Sequence, residues 1–299
     1  MKNLFGLIGF PVNNSFSQII HNELFKICKN NAEYFLLNIP PNEIGSFKTK
    51  YKHFSGFNVT MPYKNKMFNL TTPNDYISKK TKTVNTILKT KNNEYLSHNT
   101  DYYGFTKSLE VFNICLKANV LLLGLGGAGK IVALYAILKG CFLTVAVRKN
   151  SIEKAKLNLI KIIPKTFEKN FEIVDIKNIP QKVYKTIVNA TPIGMHHIKN
   201  KTPIQIEKFY GTSNAIDLIY NPYETLFLKT AKKLKIKTVN GLYMLILQAI
   251  KANEMFSQTK FKKHVAFKLA KEVKKILIWL KKYSFAVLWR PVKQQLEKH

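Results

Sequence analysis

The stretch "NVLLLGLGGAGKIVALYAILKGCFLTVAVRK", residues 119–149, decides the fold of this chain. It starts with a short apolar run, which predicts a buried strand, and turns through a cluster of glycines. A helix is predicted from about Ala128 to Lys139, with Gly140 at its end, and "FLTVAV" predicts a second strand. Strand, helix and strand together make one βαβ unit.

The glycines of this unit have the spacing of a nucleotide-binding loop. Gly124, Gly126 and Gly129 satisfy G-x-G-x-x-G directly after a strand and at the start of a helix. The first permits a tight turn, the second lets a pyrophosphate approach the backbone, and the third lets helix and strand pack closely. Free N–H groups at the helix start, around Gly127 and Ala128, would meet the phosphates. A glycine-rich turn without a ligand is the alternative, and a P-loop is excluded because no GK[ST] follows.

The end of the second strand indicates which dinucleotide binds. An acidic residue there would bond the ribose 2′-hydroxyl of NAD, whereas a basic residue accepts the 2′-phosphate of NADP. The strand ends in Arg148 and Lys149, and no acidic residue is near. The sequence therefore predicts NADP, although two solvated charges in a lysine-rich chain are the structural alternative.

The rest of the chain continues the alternation of strands and helices. Short apolar runs alternate with helical stretches over residues 1 to about 100, which predicts an α/β layer with parallel strand pairing. "FEIVDI", "KTIVNAT" and "NAIDLIY" predict further strands. Helices are expected from about Leu242, and a lysine-rich helical stretch follows from Phe261. Two α/β domains are the prediction for a chain of this length.

Composition narrows the function classes. The chain has 299 residues and a formal charge of +31, from 48 Lys and Arg against 17 Asp and Glu. The lysines are scattered, so we interpret them as a solvated surface and expect no specific nucleic-acid partner. Three distant cysteines and the adjacent His196 and His197 suggest no disulfide or metal site, and a reducing, cytoplasmic compartment fits. No apolar run reaches the roughly 20 residues of a membrane helix, so no membrane insertion is expected.

Eight segments together resemble the shikimate dehydrogenase family in their order and spacing over residues 4 to about 256. They are "GLIGFPVNNSFSQIIHN", "GFNVTMPYK", "TVNTI", "NTDYYGF", "GLGGAG", "VNATPIGM", "DLIYNP" and "NGLYMLILQA". The resemblance implies NADPH-dependent reduction of 3-dehydroshikimate to shikimate, on the path to chorismate and the aromatic amino acids. It also implies an α/β substrate-binding domain and a Rossmann-type domain, with C-terminal helices returning to the first. We expect a substrate domain at 1–101 completed by 242–280, a Rossmann domain at 102–241 and a basic extension at 281–299.

The resemblance also implies roles for individual residues. Lys64 matches the family's catalytic lysine and Asp101 its carboxylate partner. Pro62 is expected to turn the chain after "GFNVTM", while Asn58 has no clear role beyond bracing the turn. Substrate-binding residues are expected at Ser15, Ser17, Thr60, Asn85, Tyr220 and Gln248. Cofactor-binding residues are expected at Gly124, Gly126, Gly127, Ala128, Gly129, Arg148, Lys149, Asn189, Thr191, Leu218 and Gly241.

Some positions depart from the family pattern. Asn14 and Gln18 replace a histidine and a proline around the two serines, Lys82 and Thr83 replace a Gly-Ala pair, and Val147 replaces an asparagine. No assigned catalytic side chain is lost, but these departures allow a weakened enzyme.

Three alternatives stay open. One is a quinate/shikimate dehydrogenase that accepts NAD, and another is an NADP-binding protein that recruits nucleic acid or membrane through its basic surface. The third concerns only the tail, "WLKKYSFAVLWRPVKQQLEKH", which could lie on a membrane surface. The oligomeric state is also open, with a homodimer as the candidate.

Overall fold

The computed structural model describes residues 2–198 and 200–282. Residues 283–299, which make up most of the predicted extension 281–299 and of the tail with the membrane-surface hypothesis, lie outside the described residues. Two six-stranded sheets with flanking helices make up the described part. The strands are β1 (Asn3–Gly9), β2 (Ala32–Asn38), β3 (Gly56–Val59), β4 (Thr72–Pro73), β5 (Thr86–Lys89), β6 (Tyr95–His98), β7 (Asn119–Leu123), β8 (Phe142–Val147), β9 (Phe171–Asp175), β10 (Thr186–Asn189), β11 (Asn214–Asp217) and β12 (Lys237–Val239). The α-helices are α1 (Ser17–Ile27), α2 (Phe47–Lys50), α3 (Lys64–Leu70), α4 (Tyr76–Thr81), α5 (Asp101–Val111), α6 (Gly127–Leu138), α7 (Ile152–Ile162), α8 (Leu226–Lys233), α9 (Leu242–Ser257) and α10 (Lys263–Lys282).

The first sheet has the strand order β2-β1-β3-β5-β6-β4. Strands β1, β2 and β3 are parallel, as the alternation of strands and helices predicts, but β5 is antiparallel to both β3 and β6. The prediction of parallel pairing is therefore wrong for the two pairs that β5 makes, whereas β4 and β6 are again parallel. For β5 and β6 the physical reason is their short connection over residues 90–94, which can join only antiparallel neighbours because a parallel pair needs a long crossover.

The second sheet is wholly parallel, in the order β12-β11-β10-β7-β8-β9. Residues 120–123 of its central strand β7 have no solvent exposure, as expected for a parallel strand covered on both faces. Helix α6 begins at Gly127 and ends at Leu138, one residue earlier at each end than the glycine and apolar pattern predicts. The prediction of a Rossmann-type unit is confirmed.

The C-terminal helices return to the first half of the chain, as expected. Helices α1, α9 and α10 share one apolar cluster, in which Ile20 and Leu24 meet Ile246, Leu269 and Val273. Helix α5 packs along α9 and also against α6, so the helices of the two sheets are in direct contact. No helix in the described part of the chain is both long and apolar enough to cross a membrane.

Candidate active site

A lysine and an aspartate form an ion pair where the two halves of the molecule meet. Lys64 Nζ donates to Asp101 Oδ2 at 2.5 Å, and both side chains are largely shielded from solvent. The aliphatic part of Lys64 lies against the nucleotide loop, since a Cβ built on Gly127 would stand 3.3 Å from its Cδ. The resemblance paired these two residues, and the structure brings them together beside the glycine motif.

Local structure explains how each partner reaches this position. Strand β3 ends at Val59, and the chain turns through Pro62 before Lys64 opens helix α3. Asp101 is the first residue of α5, where a carboxylate also interacts favourably with the helix dipole. Both residues therefore stand at helix starts that follow strands of the first sheet.

Asn85 is the hub of a buried hydrogen-bond network around this pair. Its Nδ2 donates to Asp101 Oδ1 at 3.0 Å and lies 3.1 Å from Gln248 Oε1. Its Oδ1 accepts from the backbone N–H of Thr100 at 2.7 Å. Asn85 is only 2% exposed, and these bonds fix the orientation of its side-chain amide. Three residues expected to bind substrate hydroxyls or assist catalysis, Asn85, Asp101 and Gln248, are thus within one network.

A second polar group gathers the two serines and the tyrosine. Ser15 Oγ donates to Ser17 Oγ at 3.0 Å, and Ser17 opens helix α1. Burial raises the pKa of Tyr220, while a hydrogen bond with Ser15 opposes that rise. The rings of Phe16 and Tyr220 meet edge to face at 6.1 Å and pack on the helix that carries Gln248. Thr60 lies on a different element, after β3, where its N–H donates to Ile8 O.

The glycine motif has the geometry that its spacing predicts. Gly124 has φ +88°, a left-handed conformation that favours glycine. A Cβ on Gly129 would stand 2.5 Å from the carbonyl oxygen of Gly124, so only glycine lets α6 and β7 approach this closely. A Cβ on Gly126 would meet nothing within 4 Å, and the backbone N–H groups that follow begin helix α6. The loop therefore leaves its backbone open to a phosphate group.

Arg148 and Lys149 lie at the carboxyl end of β8, where the sequence places them. Both side chains are exposed, and among the described residues neither forms a hydrogen bond or ion pair through its charged group. Two cations without a partner among the described residues, at the carboxyl end of this strand, fit a phosphate on the ribose.

On the other side of the glycine loop, a further buried cluster organises the ends of β10 and β11. Asn189 donates to Asp217 Oδ1 at 3.1 Å and accepts from the hydroxyl and the N–H of Thr191. Asn189 is fully buried, so its side chain shapes the loop from inside. A Cβ on Gly241 would stand 2.0 Å from the carbonyl oxygen of Leu218. Only glycine therefore lets these two expected cofactor-binding positions lie this close together.

Asp217 is a residue that sequence reasoning missed. It is fully buried and accepts from Asn189, from Thr225 Oγ1 at 2.7 Å and from the N–H of Ile219 at 3.0 Å. Burial raises its pKa to about 6, and these hydrogen bonds oppose the rise. The available signal was an acidic residue at the end of the apolar strand in "NAIDLIY", a position where a solvent-exposed charge is not expected.

One departure from the family pattern has a visible structural consequence. Lys82 ends helix α4 with φ 50° and ψ 40°, a left-handed conformation in which glycine has no steric cost. Its carbonyl accepts from Asn65 Nδ2 at 3.0 Å, which ties this turn to the helix that begins at Lys64. A lysine is accommodated here at some conformational cost, and the turn is kept.

Comparison with known proteins gives consistent matches. Residues 7–87 match the family model of the shikimate dehydrogenase substrate binding domain. A shikimate dehydrogenase (NADP(+)) of Methanococcus maripaludis is 36% identical over 265 residues, which cover 86% of this chain and 92% of that protein. A shikimate dehydrogenase (NADP(+)) of Clostridium beijerinckii is 36% identical over 264 residues, with 85% and 92% covered.

Solved structures extend the likeness to three dimensions. Shikimate dehydrogenase 1 from Peptoclostridium difficile has a TM-score of 0.78 at 32% identity, covering 92% of this chain and 99% of that one. Shikimate 5-dehydrogenase from Thermus thermophilus, solved in complex with NADP(H) and shikimate, has a TM-score of 0.79 at 25% identity, covering 90% and 99%. The similarity therefore spans both sheets rather than the nucleotide loop alone.

Proposed function

This chain belongs to the shikimate dehydrogenase family, and from that premise we propose that it reduces the ketone of 3-dehydroshikimate to the hydroxyl of shikimate with NADPH. The observation that carries the proposal is the Lys64–Asp101 ion pair, held against the nucleotide loop at Gly127. A protein that only binds NADP has no need of a shielded lysine–carboxylate pair at that place. The related enzymes named for this reaction with NADP support the same conclusion.

The chemistry of the reaction explains the lysine. NADPH, when bound, supplies a hydride to the ketone carbon, and negative charge then develops on the ketone oxygen. We assign Lys64 to stabilise that charge and to give the oxygen its proton, which is general-acid catalysis. Asp101 holds the ammonium group through the 2.5 Å bond. In the reverse direction the neutral amine of Lys64 would remove the proton from the substrate hydroxyl.

The remaining polar residues would orient the substrate. We assign Asn85, Gln248 and Thr60 to the ring hydroxyls, together with Asp101, because amide and carboxylate groups can fix hydroxyls of known geometry. Ser15, Ser17 and Tyr220 supply neutral hydroxyl donors for the substrate carboxylate. The support for this division is the existence of two polar groups, one around Asn85 and one around Ser15.

The residues present fit the adenine dinucleotide. We assign the backbone of Gly124, Gly126, Gly127, Ala128 and Gly129 to the pyrophosphate, since the loop is open at Gly126 and lies at a helix N-terminus. Arg148 and Lys149 would hold the 2′-phosphate of NADP, because their charged groups are exposed and have no partner among the described residues. Thr191, Leu218 and Gly241, with Asn189 behind them, would lie at the nicotinamide end.

One assay tests the function and the lysine together. We expect the wild type to reduce NADP in the presence of shikimate, seen as absorbance at 340 nm, more efficiently than with quinate or with NAD as cofactor. Lys64→Met should lower kcat by about 100- to 10,000-fold, the usual contribution of a general acid or base, and change shikimate binding much less.

Lys66→Met is the matched control, because Lys66 is an exposed lysine on the same helix two residues away. Its kcat should equal that of the wild type. A wild type that is inactive with shikimate would contradict the proposed function, whereas a Lys64→Met variant with kcat within a fewfold of the wild type would contradict the role of the lysine alone.

The domain division, location and assembly also belong to this proposal. We assign residues 1–101 and 242–280 to the substrate domain and 102–241 to the NADP domain, with the active site in the cleft between them. The three cysteines are free thiols, which suits a cytoplasmic, reducing compartment. A homodimer is the proposed assembly, and sedimentation velocity on the purified protein would test it.

A further inference from the structure

A buried chain of hydrogen bonds connects β2, an edge strand of the first sheet, to the Lys64–Asp101 pair. It begins at the hydroxyl of Tyr34 on β2, which donates to Asn58 Oδ1 on β3 at 2.8 Å. Asn58 Nδ2 then donates to the carbonyl oxygen of Asn85 at 3.0 Å, and Asn85 Nδ2 donates to Asp101 Oδ1 at 3.0 Å. The chain has no solvent-exposed link, since Tyr34, Asn58 and Asn85 are all at most 4% exposed.

Asn58 is the central link of this chain. It is the only polar residue of β3, "GFNV", and its side chain is fully used by the protein. Besides the bonds to Tyr34 and Asn85, its Nδ2 donates to Thr86 Oγ1 at 3.1 Å. A buried amide gains little net stability over a well-packed apolar side chain, because its bonds replace equally good bonds to water. The bonds therefore serve geometry more than stability.

The geometry that they fix is that of Asn85. Its side-chain oxygen accepts from the N–H of Thr100, and its backbone carbonyl accepts from Asn58 Nδ2 at 3.0 Å as well as from the N–H of Val59 at 2.8 Å. With both ends held, the Nδ2 of Asn85 has a defined direction, which is toward Asp101 and Gln248. Asp101 in turn sets the position of the Lys64 ammonium.

We propose that Asn58 is a positioning residue for the reaction: it orients Asn85, and through Asn85 it sets the place of Asp101 and of the proton donor Lys64. The proposal rests on the proposed function, because the positioned residues are those assigned to shikimate and to the proton. Asn58 itself is not expected to contact the substrate, since it is buried within the sheet and all its bonds go to protein.

A graded series of variants tests the proposal in the full-length protein. Tyr34→Phe removes only the outer link, and Asn58→Ala removes every bond that the Asn58 side chain makes. We expect kcat for shikimate oxidation to fall in that order, reaching about 10- to 100-fold for Asn58→Ala, since displacements near 1 Å can cost about that much. The KM for NADP should stay within about twofold of the wild type, because the loop at Gly124–Gly129 is untouched.

Tyr184→Phe is the matched control for lost stability. Tyr184 is also a fully buried tyrosine, whose hydroxyl donates to Pro180 O at 3.3 Å and also interacts with Thr144, but it packs under the second sheet away from this network. Its melting temperature should fall as that of Tyr34→Phe does, while its kcat stays unchanged. If Asn58→Ala keeps wild-type kcat at a temperature where it is folded, or loses no more than Tyr184→Phe does, the proposal is wrong.

A structural measurement separates this inference from the proposed function. Crystal structures of the wild type and of Asn58→Ala, both without ligands, would give the distance between Asn85 Nδ2 and Asp101 Oδ1 independently of activity. We expect the 3.0 Å bond in the wild type and a displaced or lost bond in the variant. An unchanged bond would overturn the positioning role even in an active enzyme, whereas a displaced bond in a protein inactive with shikimate would contradict only the proposed function.

Discussion

Burial gives Asp217 a raised pKa that its neighbours along the sequence do not indicate. The carboxyl group has no solvent exposure, and desolvation disfavours its charged form more than the three hydrogen bonds favour it. It connects Asn189, at the end of β10, to Thr225, which caps the start of α8. The ends of the two strands proposed to lie beside the nicotinamide are therefore tied together through a titratable group.

The stability of the fold should depend on pH through Asp217. Its pKa is about 6 in the folded protein and about 3.9 in the unfolded chain, so the folded state binds the proton more tightly. The stabilisation from protonation is complete below the unfolded pKa and is lost as the pH rises from about 4 to about 6. Relative to Asp217→Asn, we expect the wild type to lose about 2 kcal/mol of unfolding free energy between pH 4 and pH 7.

Urea denaturation of both proteins across this range would measure that difference. Val239→Ala on the neighbouring strand is a non-titrating control, since Val239 is buried beside Ile216, and it should lower the unfolding free energy equally at every pH. Parallel curves for the wild type and Asp217→Asn would contradict the perturbed pKa.

At the scale of the element, the glycine loop meets two requirements at different positions: close packing of the helix on the strand, and access of the ligand to the backbone. Gly129 is required by the fold, because a methyl group there would collide with the backbone of Gly124. Gly126 has no such neighbour within 4 Å, and its backbone angles, φ −75° and ψ −168°, are open to alanine. The loop therefore contains one glycine needed for packing and one left for the ligand.

Alanine at Gly129 should lower the stability of the fold, whereas alanine at Gly126 should lower the affinity for NADPH. Gly129→Ala should destabilise the protein by about 1–3 kcal/mol, the usual cost of overpacking. Gly126→Ala should leave the melting temperature unchanged and weaken NADPH binding, because its methyl group would stand where the pyrophosphate approaches the backbone. Thermal melting and titration of NADPH fluorescence measure the two effects. Wild-type NADPH affinity in Gly126→Ala, or a wild-type melting temperature in Gly129→Ala, would contradict this division.

For the whole molecule, the charge imbalance is the dominant electrostatic feature. The chain carries 48 basic against 17 acidic residues, and four of the ion pairs among the described residues are exposed on both sides: Lys2–Glu33, Lys50–Glu43, Lys107–Glu110 and Lys232–Glu224. Exposed pairs contribute little to stability, so they do not offset the repulsion among the remaining lysines. A large net charge of one sign disfavours the compact state.

Salt should therefore stabilise this protein. Raising NaCl from 10 to 300 mM shortens the Debye length from about 30 Å to below 10 Å, which screens the repulsion between separated lysines. We expect the melting temperature to rise by about 2–4 °C, which corresponds to about 1 kcal/mol for a chain of this size. The same titration at pH 10, where lysines begin to lose their charge, should give a smaller rise. A melting temperature that falls with salt at pH 7 would contradict this expectation.

The sequence by itself determined the first βαβ unit of the second sheet and the cofactor loop. The apolar runs, the glycine spacing and the basic strand end all act within one continuous stretch, residues 119–149, so neighbours along the chain are enough to specify them. The order of the eight family segments likewise identified the candidate lysine, aspartate and amides. The antiparallel β5 could not be read from the same evidence, because apolar alternation marks a strand but not the direction of its partner.

Only the tertiary structure decided how the site residues act on one another. Lys64 and Asp101 are 37 positions apart, and Asn85 and Gln248 are 163 apart, so their bonds exist only once the helices and sheets have packed. The same holds for Asn58, which the sequence left without a clear role, and for Asp217. Hydrogen-bond direction and desolvation depend on every group that surrounds a side chain in space, and the local sequence specifies only the few that adjoin it along the chain.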